Sequence, residues 1–359
     1  MMKGNRGEWS ELYTLFKLLA DGRLYAADSN TNKINDIYYN ILKVIRKQTD
    51  GKWEYQRDGN IKIVEATSGK QVLSVSIKRF KEQSDFLLKE MKNNDKKGSF
   101  EIPTVWDFAK KVKCNTLKAK STEKADIILM VHDIYTESNP TLGFSIKSQL
   151  GQPSTLLNAS SATNFTYKIT GHILSDTEIL NFNNIRYFKD KFKYLQSLHS
   201  TIKFLQLNNK QFYFNLLLID TQLPNILSTL VKEFYYSGNG LIKDLNKKII
   251  EINELRLPQN DAKIFYTYKI KELLTDIALG MLPAKTWSGN YEATGGYIIV
   301  KDDGDILCYH IYNRNEFRNY LFSNTKLETP STTRHNYGKI INTSQGQLIN
   351  LNLQIRFIK

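Results

Sequence analysis

Ala125-Asp126-Ile127-Ile128-Leu129-Met130-Val131-His132-Asp133 is a continuous apolar run with charge at both ends, the pattern of a strand covered on both faces. Such a strand belongs at the centre of a sheet. After a polar turn through Ser138-Asn139-Pro140, the stretch Gly143-Phe144-Ser145-Ile146-Lys147-Ser148-Gln149 alternates. Phe144 and Ile146 fall on one side of it and Ser145, Lys147 and Gln149 on the other, because successive side chains of a strand point to opposite faces. The two strands are expected to pair.

Towards the N-terminus, Trp9, Leu12, Tyr13, Phe16, Leu19 and Ala20 recur at helical spacing between Glu8 and Asp21, and Gly22 follows where a helix would stop. Leu15 and Leu18 widen the apolar sector until only Ser10, Thr14 and Lys17 form a polar arc, so this helix is mostly buried. Asn5, with Glu8 three positions on, resembles a capping box at its start. Ile34 to Lys47 is a second helical candidate, and Trp53 to Arg57 and Ile61 to Glu65, joined by Asp58-Gly59-Asn60, read as a hairpin. Phe80 to Met91 and Pro103 to Val112 read as helices, with the charged stretch Lys92 to Lys97 as a solvated loop. Residues 151 to 164, rich in Ser, Thr and Asn, read as a loop, and Phe182 to Leu207 and Pro224 to Leu255 as mainly helical. The sheet signal returns at Tyr297 to Val300, Ile306 to Tyr312 and Leu351 to Phe357. The expected fold class is α/β (α+β): a mixed central sheet flanked by helices, with additional helical and β elements. Three regions are expected: a core over 1–175 with an inserted helix and hairpin region near 35–115, a mainly helical region over 176–285, and a β-rich region over 286–359.

The 359 residues hold 50 Lys and Arg against 36 Asp and Glu, a formal charge of +14. That excess favours a large polyanion as partner, nucleic acid first and an anionic membrane surface second. Hydrophobic residues at 41% and aromatics at 12% exclude a disordered chain. Apolar runs such as Ile127 to Val131 and Leu216 to Ile219 fall far short of the roughly 20 residues that cross a bilayer, so no membrane span is expected. The opening residues lack a signal peptide's apolar stretch, and a cytoplasmic location is expected. Cys114 and Cys308 have no partner at zinc-ligand spacing, so neither a zinc site nor a disulfide framework is expected.

Asp126 opening one strand, with Ser145-Ile146-Lys147 on its neighbour, suggests the metal-dependent nuclease arrangement written PD-(D/E)XK. Phosphodiester hydrolysis needs a divalent metal to generate hydroxide and to stabilise the extra charge on phosphorus, and oxygen ligands suit a hard cation such as magnesium. Asp126 would supply one ligand, and Lys147 would position or deprotonate water and offset charge on the phosphate. Ser145 stands where the middle carboxylate belongs, so a second acid must come from elsewhere. Glu8 and Glu11 lie inside or at the margin of the first helix's apolar sector, where an ionised carboxylate is costly unless a cation meets it. Both are candidate metal ligands; the capping role open to Glu8 favours Glu11. Gln149 shares the Ser145 and Lys147 face and would touch phosphate or water. His132 and Asp133 close the strand that Asp126 opens, where charges are more often simply solvated.

Longer blocks extend the pattern. Gly4-Asn5-Arg6-Gly7-Glu8-Trp9-Ser10-Glu11-Leu12-Tyr13, Ala125-Asp126-Ile127, Gly143 to Gly151, Leu156 to Ser160 and Thr163-Asn164-Phe165 resemble the HpaII family of type II restriction endonucleases. Tyr320-Leu321-Phe322, Asn324 to Ser331, Arg334-His335-Asn336-Tyr337-Gly338 and Leu351 to Phe357 look like the same family's closing segment. The resemblance implies a PD-(D/E)XK-type restriction-endonuclease core and magnesium-dependent cleavage of double-stranded DNA at a short palindrome. CCGG, the namesake's target, is the leading expectation.

Reading a DNA sequence needs side chains that can reach base edges in the major groove, above all Arg or Lys to guanine and Asn or Gln to adenine. Arg314, Asn315, Arg318, Lys326, Arg334, His335 and Asn336 supply such groups near the C-terminus, and Lys285 begins a second candidate contact loop. A palindrome is most simply met by a homodimer on the DNA. The competing reading is a non-catalytic DNA-binding protein derived from a nuclease, motivated by Ser145 in place of an acid.

Overall fold

The computed structural model describes residues 2–95, 98–118, 125–134 and 136–358. The chain begins with α1 (Arg6–Asp21), β1 (Arg23–Ala27), β2 (Lys33–Gln48), β3 (Gly51–Asp58), β4 (Asn60–Glu65) and β5 (Gln71–Val75). It continues through α2 (Ile77–Asn93), α3 (Pro103–Lys111), β6 (Ile127–His132), β7 (Thr141–Ser148), β8 (Thr155–Leu157) and β9 (Asn164–Gly171). A mostly helical stretch follows: α4 (Asp176–Asn184), α5 (Phe188–Ser197), β10 (Ser200–Leu207), α6 (Lys210–Ile219), α7 (Leu223–Ser237), α8 (Ile242–Ile252) and α9 (Gln259–Leu279). The last part holds β11 (Gly296–Val300), β12 (Ile306–His310), α10 (Arg314–Ser323), β13 (Thr325–Leu327), α11 (Thr332–His335), β14 (Ile340–Thr343), β15 (Gly346–Asn352) and β16 (Ile355–Phe357). These elements form two compact units, one made of the chain up to Ser154 with Tyr291–Tyr320, the other of Thr155–Asn290 with Leu321–Ile358.

The first unit is built on a nine-stranded mixed sheet in the order β1-β12-β11-β7-β6-β2-β3-β4-β5, so β6 occupies the central position its apolar run called for. β6 pairs antiparallel with β7, Ile127 opposite Phe144, and β7 pairs parallel with β11, Ser145 opposite Tyr297. One face carries Ile127, Leu129, Val131, Phe144 and Ile146 into the core under α1, α2 and α3. There Phe16, Phe80 and Phe108, one ring from each helix, meet edge-to-face at 5.3–5.6 Å, a geometry that adds to simple area burial. α1 starts with the expected capping box, Asn5 accepting from the Glu8 N–H at 3.0 Å and Glu8 accepting from the Asn5 N–H at 2.9 Å. It ends where Gly22 takes a left-handed φ of 72°.

The second unit holds a four-stranded sheet, β10-β9-β15-β14, and a three-stranded one, β13-β16-β8, with α4 to α9. Phe165, Tyr167 and Ile169 of β9 face its core, where the Tyr167 hydroxyl donates to the Ser228 carbonyl at 2.6 Å.

Several expectations are corrected. Ile34 to Lys47 is not a helix: it lies within β2, which hydrogen-bonds to β1, β6 and β3. Its apolar residues sit at helical intervals by coincidence, while its Ile, Val and Tyr content suits a long strand with partners on both sides. Residues 200–207, placed in a helix from sequence, form β10, because His199 adopts a left-handed φ of 53° and breaks the helical path. The loop assigned to 151–164 contains β8, so sheet structure does not wait for the C-terminus. Leu351 to Phe357 is two strands in two different sheets, since Leu353 leaves the ladder to donate to the Thr163 carbonyl at 3.0 Å. β6 is fully buried on one face only, and its other face is half-buried. Ser10 and Thr14, the expected polar arc of α1, are wholly buried, their hydroxyls bonded to backbone carbonyls one turn back. Of the stretch Lys92 to Lys97, Lys92 and Asn93 belong to α2, and Lys96 and Lys97 lie outside the described residues. Among the described residues, no helix is long and apolar enough to cross a membrane.

Candidate active site and nucleic-acid interface

The β6–β7 register fixes the first part of the site. Asp126, just before β6, accepts through one oxygen, Oδ2, from the Ser145 hydroxyl at 3.0 Å and the Ile146 N–H at 2.7 Å. Two donors on one oxygen hold the carboxylate in a single orientation. Lys147, on the same face as Ser145, is half-buried and sets its ammonium 5.3 Å from the centre of the Tyr297 ring. Burial pulls the Lys147 ammonium below the ordinary lysine range, and the charges of Asp126 and then Glu11 oppose that pull. Burial, reinforced by the Asp126 charge, keeps the Tyr297 phenol protonated well above its usual range.

α1 brings the second acid. The Ser10 hydroxyl bonds to that of Ser148 at 2.8 Å, fastening α1 to the end of β7 one residue from Glu11. Glu8, one turn earlier, is committed elsewhere: its carboxylate closes the capping box and pairs with the Lys118 ammonium at 2.5 Å. Burial pushes the Glu8 carboxyl up, but Lys118 and the Asn5 N–H outweigh it and hold Glu8 below the usual carboxylate range. Lys118 is itself raised, by its bond to Glu8 and by the charges of Glu8 and Glu11. Glu8 therefore meets a cation directly and the charge of Glu11 is felt by Lys118 and Lys147, as their partly apolar surroundings require.

Asp126, Ser145 and Lys147 come together as the sequence suggested, and the charge of Glu11 reaches Lys147. Gln149 lies just past β7, half-buried, its N–H donating to the Val300 carbonyl at 2.8 Å. His132 and Asp133 close the far end of β6, about 20 Å from Asp126 at the rise of a strand. His132 meets the Asn139 side chain at 2.9 Å, and Asp133, expected to be solvated, is only 1% exposed. Among the described residues no three His, Cys, Asp or Glu side chains form a ready-made metal cage.

Sequence reasoning missed a basic cleft of about 570 Å³ beside Asp126, lined among others by Arg46, Lys47, Lys52, Thr116 and Lys118. Arg46 is buried and braces the segment before Asp126, donating to the Leu117 and Thr116 carbonyls at 3.2 and 3.3 Å. Lys47 and Lys52 flank the β2–β3 turn and are exposed. Reading residues 34–47 as a helix hid this juxtaposition.

The expected DNA-contacting residues are divided between the units. Arg314, Asn315 and Arg318 start α10, the first two exposed, in the first unit. In the second unit, Lys326 on β13 lies 3.5 Å from Glu328, a carboxylate shared with Arg356. Lys285 is exposed on a loop whose carbonyls at 282 and 285 accept from the buried Asn215 amide at 3.1 and 2.8 Å. Arg334 and His335 lie on α11, and Asn336 is its left-handed C-cap. Two asparagines pin this turn over the four-stranded sheet: Asn164 donates to the His335 carbonyl at 2.8 Å and Asn350 to the Asn336 carbonyl at 3.2 Å. Asn336 also borders a polar cavity of about 670 Å³ on that sheet.

A model of the HpaII restriction endonuclease family matches residues 5–357. The chain is 45% identical over 355 residues to the type II restriction enzyme HpaII of Haemophilus parainfluenzae, an alignment that covers 99% of this chain and 98% of that enzyme. No solved structure matches the chain.

Proposed function

The chain belongs to the HpaII family of type II restriction endonucleases, and on that premise we propose that Asp126, Lys147 and Glu11 form its hydrolytic centre, that magnesium is its metal, and that it cuts double-stranded DNA at a short palindrome as a homodimer. CCGG is the target we propose, as the resemblance implies. The single observation that supports the centre is the Asp126 carboxylate fixed by two hydrogen bonds from the strand whose next outward side chain is Lys147, an ammonium that feels the charges of both Asp126 and Glu11. The nine-stranded mixed sheet with β6 and β7 at its heart supports assigning the first unit as a PD-(D/E)XK-type core.

The donor set fits a hard divalent ion. Asp126 and Glu11 offer oxygen ligands, and a cation that keeps several waters needs only one or two carboxylates from the protein. Magnesium, when bound there, supplies the charge that acidifies water and offsets the negative charge gathering on the phosphate. Ser145 and the Ile146 N–H hold the Asp126 carboxylate in one orientation before any ligand arrives. Lys147, whose ammonium burial disfavours and the charges of Asp126 and Glu11 favour, holds the attacking water and balances the phosphate oxygens. Glu8 serves as helix cap and partner of Lys118, leaving Glu11 as the second acid. Gln149 lies at the end of the same strand, where it can meet water or phosphate. Ser145, which motivated the non-catalytic alternative, has a task of its own in orienting Asp126.

The test is digestion of a sequenced plasmid with and without magnesium, followed by mapping of the ends. Wild-type protein is expected to cut at one short sequence only when the metal is supplied. Lys147→Ala should bind target duplex within a few-fold of wild type and cut it about 100- to 1000-fold more slowly, the scale of losing a principal electrostatic stabiliser. Undiminished cutting by that variant would remove the centre.

A further inference from the structure

The outward face of the four-stranded sheet carries an ordered polar pattern that the hydrolytic centre does not use. Gln206 of β10, Thr166 of β9 and Asn350 of β15 are direct cross-strand partners, so their side chains form one row on one face. The Thr166 hydroxyl contacts the amide oxygens of both Asn208 and Asn350, the latter at 2.8 Å. The Asn350 oxygen accepts from Thr166 while its NH2 is turned to the Asn336 carbonyl, so this amide is held at both ends. In the adjoining row Lys203 and Lys168 stand directly opposite each other, both exposed. Like charges so placed are mutually unfavourable, and an anion lying across them relieves the repulsion. Lys339 borders the same polar cavity of about 670 Å³, together with Gln206, Asn208 and Asn350.

On the premise that the chain cleaves duplex DNA at a fixed sequence, we infer that this sheet face reads the target: Gln206 and Asn208 meet base edges in a groove while Lys168 and Lys203 hold the flanking phosphate backbone. An amide carries a donor and an acceptor side by side: on a G·C pair of the proposed CCGG target its NH2 meets the guanine O6 or N7 and its oxygen the cytosine N4–H. β10, which carries Gln206 and leads into Asn208, and its neighbour β9 form one edge of the sheet about 4.8 Å apart, and a two-stranded ribbon is what a major groove about 12 Å wide admits. Sheets are established readers of DNA grooves. The row is held rigid from below, because Thr166 is itself buried and the opposite face of β9 is core. Reading then belongs to strands well before the C-terminal basic segment, with α11 pinned beside them by Asn350.

The experiment measures binding without magnesium to two duplexes of about 25 base pairs, one carrying the mapped target and one of the same length with every base pair of that target exchanged. Gln206→Ala and Asn208→Ala should each lower the target-to-altered affinity ratio by roughly 5- to 150-fold, the range for losing one two-point base contact, with the salt dependence unchanged. Lys203→Ala should weaken both duplexes by the same factor and make the slope of log K against log salt shallower by about 0.9. An unchanged ratio in both amide variants overturns the inference while leaving the hydrolytic centre intact, provided wild type cuts and Lys147→Ala does not. Wild-type protein that neither cuts nor discriminates overturns the restriction-endonuclease premise and this reading with it.

Discussion

The Ser145 hydroxyl lies 3.0 Å from Oδ2 of Asp126, donating to the same oxygen that accepts the Ile146 N–H. A serine at the position that the PD-(D/E)XK pattern gives to an acid thus orients the acid that is present. Loss of a partner that orients a metal ligand typically costs 10- to 100-fold. Ser145→Ala is therefore expected to cut about 10- to 100-fold more slowly and to need more magnesium for half-maximal rate, with duplex binding unchanged. Ser145→Thr should recover most of the loss. A magnesium titration of cleavage that superimposes on wild type for Ser145→Ala would reduce the serine to packing.

Glu8 and Glu11 sit one turn apart on α1 and should separate cleanly. Glu8 closes the capping box and pairs with an exposed Lys118; the cap contributes about 1 kcal/mol and the ion pair less. Glu8→Ala, which removes its half of the capping box together with the ion pair, is expected to lower stability in urea by about 1 kcal/mol and leave cleavage within a few-fold of wild type. Glu11→Gln should cut at least about 100-fold more slowly at unchanged stability. The opposite pattern would move the second acid to Glu8.

The basic cleft beside Asp126 gives a third expectation. If Lys52 and Lys47 track the phosphate backbone there, Lys52→Ala combined with Lys47→Ala should make the slope of log K against log salt shallower by about 1.8, since each phosphate contact contributes about 0.9. Sequence preference should not change, because phosphate contacts carry no base information. A slope identical to wild type would place the DNA elsewhere on the first unit.

The centre of the sheet was legible because Ile127 to Val131 and Phe144 to Lys147 state their period and burial locally, and because the capping box of Asn5 and Glu8 is written within four residues. The pairing of Asp126 with Ser145 then follows from strand register alone. What escaped was set by tertiary contacts. β2 reads as a helix until β1, β6 and β3 hydrogen-bond to it, and β10 reads as a helix until His199 turns left-handed. With those two strands hidden, neither the cleft lined by Arg46, Lys47 and Lys52 nor the row of Gln206, Thr166 and Asn350 could be assembled. The C-terminal basic residues were visible as a set, but their composition carries no information on how the chain distributes them between two units.

His310 gives the expectation in pH. It ends β12, 2% exposed, with the rings of Tyr39, Tyr312 and Phe144 at 4.7, 4.4 and 6.1 Å. Its Nδ1 accepts the Tyr312 N–H at 3.1 Å, so the neutral ring carries its proton on Nε2. Burial pushes the imidazole down to about 4, against the opposing charge of Asp133. Protonation in the folded state would both charge a buried ring and remove the acceptor for Tyr312. Below an unfolded value near 6.5 the unfolded chain takes up a proton that the folded chain refuses. Stability contributed by the neutral ring is therefore complete above pH 6.5, falls as pH drops from 6.5 to about 4, and does not fall further below that. A shift of that size corresponds to roughly 3 kcal/mol. Urea unfolding of wild type and His310→Phe at pH 7, 6, 5 and 4 isolates it: the stability of wild type relative to the variant should decline by about that amount across the series. A difference that stays flat with pH would mean that the imidazole reaches water in the folded protein and that the end of β12, which flanks Phe144 beside the proposed hydrolytic centre, is looser than its packing implies.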